Sequence, residues 1–168
     1  MPVQRLNHAV LYVRDVDRSV DFYARALGFR AVAGTPGRAM FLQAEGSTND
    51  HDLGLFSVGA QAGDSGAGRG TVGLYHLAWE VDTLGELRRI AGVLRENGAL
   101  VGASDHGSTK ALYAHDPDGI EFEVSWLVPA DRLGDADTSL RTEALDVDAE
   151  IARYGADTRG GVGVSIPA

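Results

Sequence analysis

His8 and His76 carry the first chemical signal in this sequence. Each lies in a short run that alternates like a strand, NHAVLYV and YHLAWEV, and each has apolar neighbours. An imidazole among such residues is costly unless something binds it. A single histidine of this kind reads as a core residue hydrogen-bonded to backbone. The same histidine in two similar runs, 68 residues apart, reads as a pair of ligands. Glu123 supplies the third group. In DPDGIEFEV a turn at Asp116 to Gly119 leads into a strand whose alternation puts Glu121 and Glu123 on one face and Ile120, Phe122 and Val124 on the other. A carboxylate between Phe122 and Val124 needs a partner. Two imidazoles and one carboxylate match the donor set that holds non-haem Fe(II) while leaving positions for substrate and oxygen.

Composition supports oxygen and nitrogen donors. The 168 residues include no cysteine, which excludes a disulfide framework, a thiolate zinc site, an iron–sulfur cluster and a cysteine nucleophile. With 24 acids against 15 bases the net charge is −9 and the pI about 4.9. An acidic chain of this kind argues against a nucleic-acid backbone or an anionic membrane as partner and favours a small molecule. The opening MPVQRLNHAVLYV does not read as a signal peptide, and no apolar run approaches the roughly 18 residues of a membrane span. The expectation is a cytoplasmic protein without a membrane segment.

The elements that must position these residues occur twice. Leu6 to Val13 suits a strand, followed by a helix capped by Asp15 or Asp17, with Val20, Tyr23 and Leu27 in its apolar stripe and Gly28 as its stop. Strands at Phe29 to Ala33, Ala39 to Gln43 and Asp52 to Val58 complete a β-α-β-β-β unit over residues 3–59. A glycine-rich connector, 60–72, precedes a second unit over 73–129. There Leu74 to Val81 is a strand, and Leu84, Leu87, Ile90, Ala91 and Leu94 stripe a helix that stops at Asn97-Gly98. Further strands follow near Leu100 to Ala103, Ala111 to His115 and Ile120 to Leu127. Residues 131–168 read as an extension to the domain at 1–130. It carries one helical stretch from Thr138 to Tyr154, in which Leu140, Ala144, Val147 and Ile151 recur at three and four, and it ends in GGVGVSIPA.

NHAVLYV, YHLAWEV and HDPDGIEFEV, set in a duplicated unit, resemble the vicinal oxygen chelate superfamily. This group includes glyoxalase I, bleomycin-resistance proteins, fosfomycin-resistance enzymes and type I extradiol dioxygenases. The likeness runs from about Val3 to Pro129 and is specific for fold rather than reaction. It implies an α+β fold in which two β-α-β-β-β units pair into a cupped mixed β-barrel, here followed by a C-terminal helical tail. It also implies His8, His76 and Glu123 as metal ligands, since the family draws its ligands from the first strand of each unit and the last strand of the second. His51, in NDHDLGLF, resembles the acid/base histidine of the extradiol enzymes. Tyr113, ten residues before Glu123, resembles their substrate-binding tyrosine, and His106, in SDHGSTKALY, matches a histidine in their H-G-x-S/T stretch. The spacing from His106 to Tyr113 is about two residues shorter than in the large ring-cleaving enzymes. His115 has no counterpart.

The other branches of the superfamily make different demands on the sequence. Glyoxalase I takes a fourth ligand, a glutamate at the repeat-equivalent of Glu123, where alignment of HDLGLF with EFEVSW puts Leu53 or Leu55. Fosfomycin-type enzymes need cations, and apart from Lys110 the site-forming segments offer few. The resemblance therefore implies an extradiol-type dioxygenase, with Fe(II) as first choice of metal and Mn(II), Zn(II) and Ni(II) as alternatives. Its substrates would be a small aromatic diol and O2, His51 would move the diol proton, and Tyr113 and His106 would orient the substrate. A glyoxalase-like lyase or isomerase and a metal-free bleomycin-resistance-type binding protein are the alternatives. Trp79, Phe41, Phe56 and Trp126 are candidates for apolar walls, with core packing the use for at least two of them. A homodimer or larger homo-oligomer is expected, and the residues leave open whether the site closes within one chain or between two.

Overall fold

A computed structural model describes residues 2–3, 5–68, 70–138 and 141–161. The chain divides into two compact units. Unit one holds Met1–Ser65 with Asp116–Gly119, and unit two holds Gly66–His115 with Ile120–Ala168.

Unit one begins with β1 (Ala9–Val13), α1 (Val16–Leu27), β2 (Arg30–Thr35), β3 (Ala39–Gln43) and β4 (Leu53–Ser57), hydrogen-bonded in the sheet order β1-β4-β3-β2. Asp15 caps α1 by accepting from the Arg18 amide at 3.1 Å. Asp17 instead accepts from the Gly37 amide. The helix stops at Gly28, whose φ of +73° favours a residue without Cβ. The buried stripe of α1 runs through Val16, Ser19, Tyr23 and Ala26, so Val20 and Leu27 flank it rather than centre it. It packs with Leu11, Val13, Phe29, Leu42, Leu53 and Leu55 to form the core of the unit. The DPDG turn is bound to this unit by its carboxylates. Tyr23 donates to Asp116, and Arg14 donates to Asp118 through both its amide and its guanidinium.

Unit two repeats the pattern with β5 (Leu77–Glu80), α2 (Leu84–Glu96), β6 (Leu100–Asp105), β7 (Thr109–His115) and β8 (Glu121–Leu127), in the order β5-β8-β7-β6. Thr83 caps α2, and Leu84, Leu87, Ile90, Ala91 and Leu94 are its buried face, as their spacing requires. The strands form two sheets, one per unit, and among the described residues their hydrogen bonds close no barrel.

The extension differs from the single helix that its spacing suggests. Glu143–Ala144 forms β9, a fifth strand added antiparallel to β6 with Ser104 facing Ala144 and Asp105 facing Glu143. Among the described residues from Thr138 to Tyr154 only Val147–Tyr154 is α-helical, as α3, because Asp146 caps it by accepting from the Ala149 amide. The Tyr154 ring packs 5.4 Å from that of Trp126, and Arg153 pairs with buried Asp137 at 2.8 Å. Residues 141–161 are thus part of unit two. Leu140 and most of the GGVGVSIPA end lie outside the described residues.

Candidate functional site

The two histidines stand at the same point of the repeat. Each immediately precedes the first strand of its unit, His8 before Ala9 and His76 before Leu77, rather than lying within it. Strand register then makes the equivalences exact to the residue. In unit one Ala9 pairs with Leu53 and Val10 with Gly54, while in unit two Leu77 pairs with Phe122 and Ala78 with Glu123. Gly54, not Leu53 or Leu55, therefore occupies the place of Glu123. Phe41 faces Gly54 as Tyr113 faces Glu123, which makes these two aromatics equivalent as well.

Four candidates meet in unit two. His76 Nε2 lies 3.2 Å from Glu123 Oε2, and its Nδ1 is buried without a hydrogen-bond partner, 4.0 Å from Glu121 Oε1. Tyr113 stacks edge-on to His76 at 5.8 Å, and its hydroxyl contacts both Glu123 and His106 Nε2, the latter at 2.9 Å. Burial, reinforced by the Glu123 charge, pushes the Tyr113 phenol up to about 12, so it keeps its proton at neutral pH. That single proton has two neighbours able to accept it. Glu121 also lies 3.7 Å from His115 Nε2.

Unit one brings together the other two. The rings of His8 and His51 lie 4.4 Å apart, and Phe41 stands edge-on to His51 at 5.0 Å. His8 Nδ1 donates to the Asn7 side-chain oxygen at 2.7 Å, which leaves Nε2 with its lone pair, the form in which an imidazole binds a metal. His51 Nδ1 is 3.2 Å from Asp50. Beyond His8, the same face of β1 presents exposed Val10 and Tyr12.

The donors suit a divalent ion. His76 and Glu123, 3.2 Å apart, are the nitrogen and oxygen donors that would hold such an ion. Among the described residues no group of three or more histidine, cysteine, aspartate or glutamate side chains is gathered that could hold a metal ion. Other residues fall away from the chemistry. Lys110 is fully buried on the face of β7 opposite Tyr113, paired with Asp105 at 2.6 Å and Glu150 at 3.1 Å. The strand residues of β5, β7 and β8 on the Glu123 face thus include no lysine or arginine. Trp126 is buried and Trp79 half-buried on the face away from Glu123, whereas Phe41 and Phe56 lie on the His8 face. Two of the four suggested wall residues therefore pack elsewhere.

Comparison with known proteins fixes the family. The model of the Glyoxalase/Bleomycin resistance protein/Dioxygenase superfamily matches residues 5–124. The chain belongs to this superfamily. Among its curated relatives, a catechol-2,3-dioxygenase of Bacillus subtilis (strain 168) is 30% identical over 119 residues, which are 71% of this chain and 40% of the relative. Metapyrocatechase 2 of Cupriavidus necator is 29% identical over 126 residues, 73% of this chain and 36% of the relative. The chain thus spans less than half the length of these two proteins. A glyoxylase/bleomycin resistance protein/dioxygenase domain from Frankia sp. EAN1pec superposes with a TM-score of 0.60 at 21% identity, covering 77% of this chain and 96% of that one, which speaks for the shared superfamily fold.

The repeat was legible before the structure, but three parts of the site were not. The place of Gly54 and the equivalence of Phe41 to Tyr113 need the strand register. The contacts that the extension makes with His106, through the Arg141 carbonyl and Thr142 Oγ1, both 3.3 Å from Nδ1, had no local signal at all.

Proposed function

We propose that this superfamily member is a metal-dependent, extradiol-type ring-cleaving dioxygenase that takes a catechol-like small molecule and O2. His8, His76 and Glu123 are its metal ligands, with Fe(II) the first candidate. The observation that carries the reading is the joined set His76, Glu123, Tyr113 and His106, in which two ligand-type donors 3.2 Å apart adjoin a protonated phenol held by a second imidazole. Two catechol-cleaving relatives support it. A divalent metal bound there would supply Lewis acidity toward a chelating diol and a route for electrons between ring and oxygen.

The chain's own residues do the rest. His51, beside His8 and edge-on to Phe41, accepts the proton of a diol hydroxyl and later returns it. Tyr113 and His106, joined at 2.9 Å, orient the substrate by hydrogen bonds. Phe41 and Phe56 offer an aromatic wall for a planar ring. The lyase alternative is weakened by Gly54, which leaves no carboxylate at the position equivalent to Glu123.

The test is metal analysis of anaerobically purified protein, followed by oxygen uptake with a panel of catechols. Iron or manganese at near-unit stoichiometry, with O2 consumed and a ring-opened semialdehyde formed, is expected. Absence of both metals after anaerobic loading, or no uptake with any diol, overturns the proposal.

A further inference from the structure

The extension reaches His106 through two neighbouring residues. His106 Nδ1 lies 3.3 Å from the Arg141 carbonyl and 3.3 Å from Thr142 Oγ1, while Nε2 lies 2.9 Å from the Tyr113 hydroxyl. A backbone carbonyl only accepts, so its approach favours the tautomer with the proton on Nδ1. Thr142 can accept from that proton or donate, so it does not oppose this choice. Nε2 then turns a lone pair toward Tyr113, and His106 competes with Glu123 for the phenol proton.

The position of the carbonyl is itself fixed. The Arg141 guanidinium holds Asp105 at 2.6 Å, the other Asp105 oxygen holds fully buried Lys110, and Lys110 reaches Glu150 on α3. Burial pushes the Asp105 carboxyl up, but Lys110, the Gly107 amide and Arg141 together hold it below the usual carboxylate range. β9 follows at once and is hydrogen-bonded to β6, the strand that ends at Asp105 beside His106. A long side-chain network and a strand pairing thus converge on one imidazole.

We propose that Arg141 and Thr142 are positioning residues that hold His106 as the Nδ1–H tautomer, oriented on Tyr113, and that the Asp105–Lys110–Glu150 network anchors them. The tautomer does not depend on the dioxygenase reading; only its effect on turnover does.

The test uses the 168-residue chain, metal-free, with 15N-labelled histidine near pH 8.5, about two units above the usual histidine value, so that the neutral ring is observed. The His106 signals are assigned by loss in His106→Asn. A protonated-type shift at Nδ1 and an unprotonated-type shift at Nε2 are expected. Arg141→Ala, which cuts the tie to Asp105, should reduce the Nδ1–H preference about fivefold, the ratio that one net hydrogen bond supports, and Arg141→Lys should restore part of it. Thr142→Val, which cannot hydrogen-bond, should shift the His106 signals less, and Thr142→Ser should return them. An Nε2–H ring in the unaltered protein, or a ratio unmoved by Arg141→Ala in a protein with unchanged β9 amide signals, overturns the proposal. With active enzyme, Arg141→Ala should lower kcat about tenfold, within the range for losing a supporting partner, and leave KM unchanged. If no catechol is cleaved at all, the function proposed above fails, while the nitrogen spectrum still decides the tautomer.

Discussion

The two units are the same structure with different chemistry in it. Both place a histidine one residue before their first strand, and both run first and last strands in parallel. Both interrupt the second pairing at the same point, between Ala31 and Ala33 in one and between Leu100 and Gly102 in the other. At the position facing the third strand, however, unit one has Gly54 opposite Phe41 and unit two has Glu123 opposite Tyr113. Unit one has become an imidazole pair backed by aromatic rings, and unit two a carboxylate and phenol linked to imidazoles. Duplication preserved the scaffold because register and core are cooperative. On the face that projects away from the helices the two units carry different side chains.

If this division of labour is right, Glu123→Ala should have the largest effect. Ring cleavage should fall by at least about 10³-fold, together with loss of bound metal measured by elemental analysis, because a ligand is removed. Retained metal would move the centre elsewhere. His51→Gln probes the other unit: a fall in kcat of about 10²-fold with metal retained is expected for a proton-transfer group. Loss of metal would instead make His51 a ligand. Tyr113→Phe turns unit two toward the Phe41 pattern. It removes one hydroxyl, and a roughly tenfold drop in kcat, about 1.4 kcal/mol, should follow with metal content unchanged. The smallest effect belongs to Gly54→Ala. The new Cβ would stand 3.4 Å from Val10 Cγ2 and 3.5 Å from the Phe41 ring, so stability by urea titration should move by no more than about 1 kcal/mol and turnover should not change. A large loss of activity would show that the bare position in unit one is needed for the reaction.

The sequence revealed each element whose signal is local. α2 shows its whole buried face in five residues at helical spacing, and the alternation of β8 correctly separates Glu121 and Glu123 from Phe122 and Val124. The extension misled because the helical spacing of Ala144 with Val147 and Ile151 competes with a pairing it cannot reveal. Ala144 is drawn into β9 by Ser104, forty positions earlier, and the helix waits for the Asp146 cap. Lys110 looked available because charged residues seldom lie fully buried. Its burial depends on Asp105 and Glu150, one of them forty residues away.

The sequence by itself determined the duplication, the helices and strands of the two units, and the alternation that sets Glu121 and Glu123 apart from Phe122 and Val124, since these depend on residue type and on periods of two and 3.6 that any short stretch displays, whereas His51, Tyr113 and His106 stood out only through the family resemblance. Tertiary structure decided which position is equivalent to which and what each residue touches. A strand's period says which residues share a face, but only its hydrogen bonds to a distant strand say which residue each one faces. That is why Gly54 rather than a leucine stands in the place of Glu123, and why a carbonyl at residue 141 comes to meet the imidazole at 106.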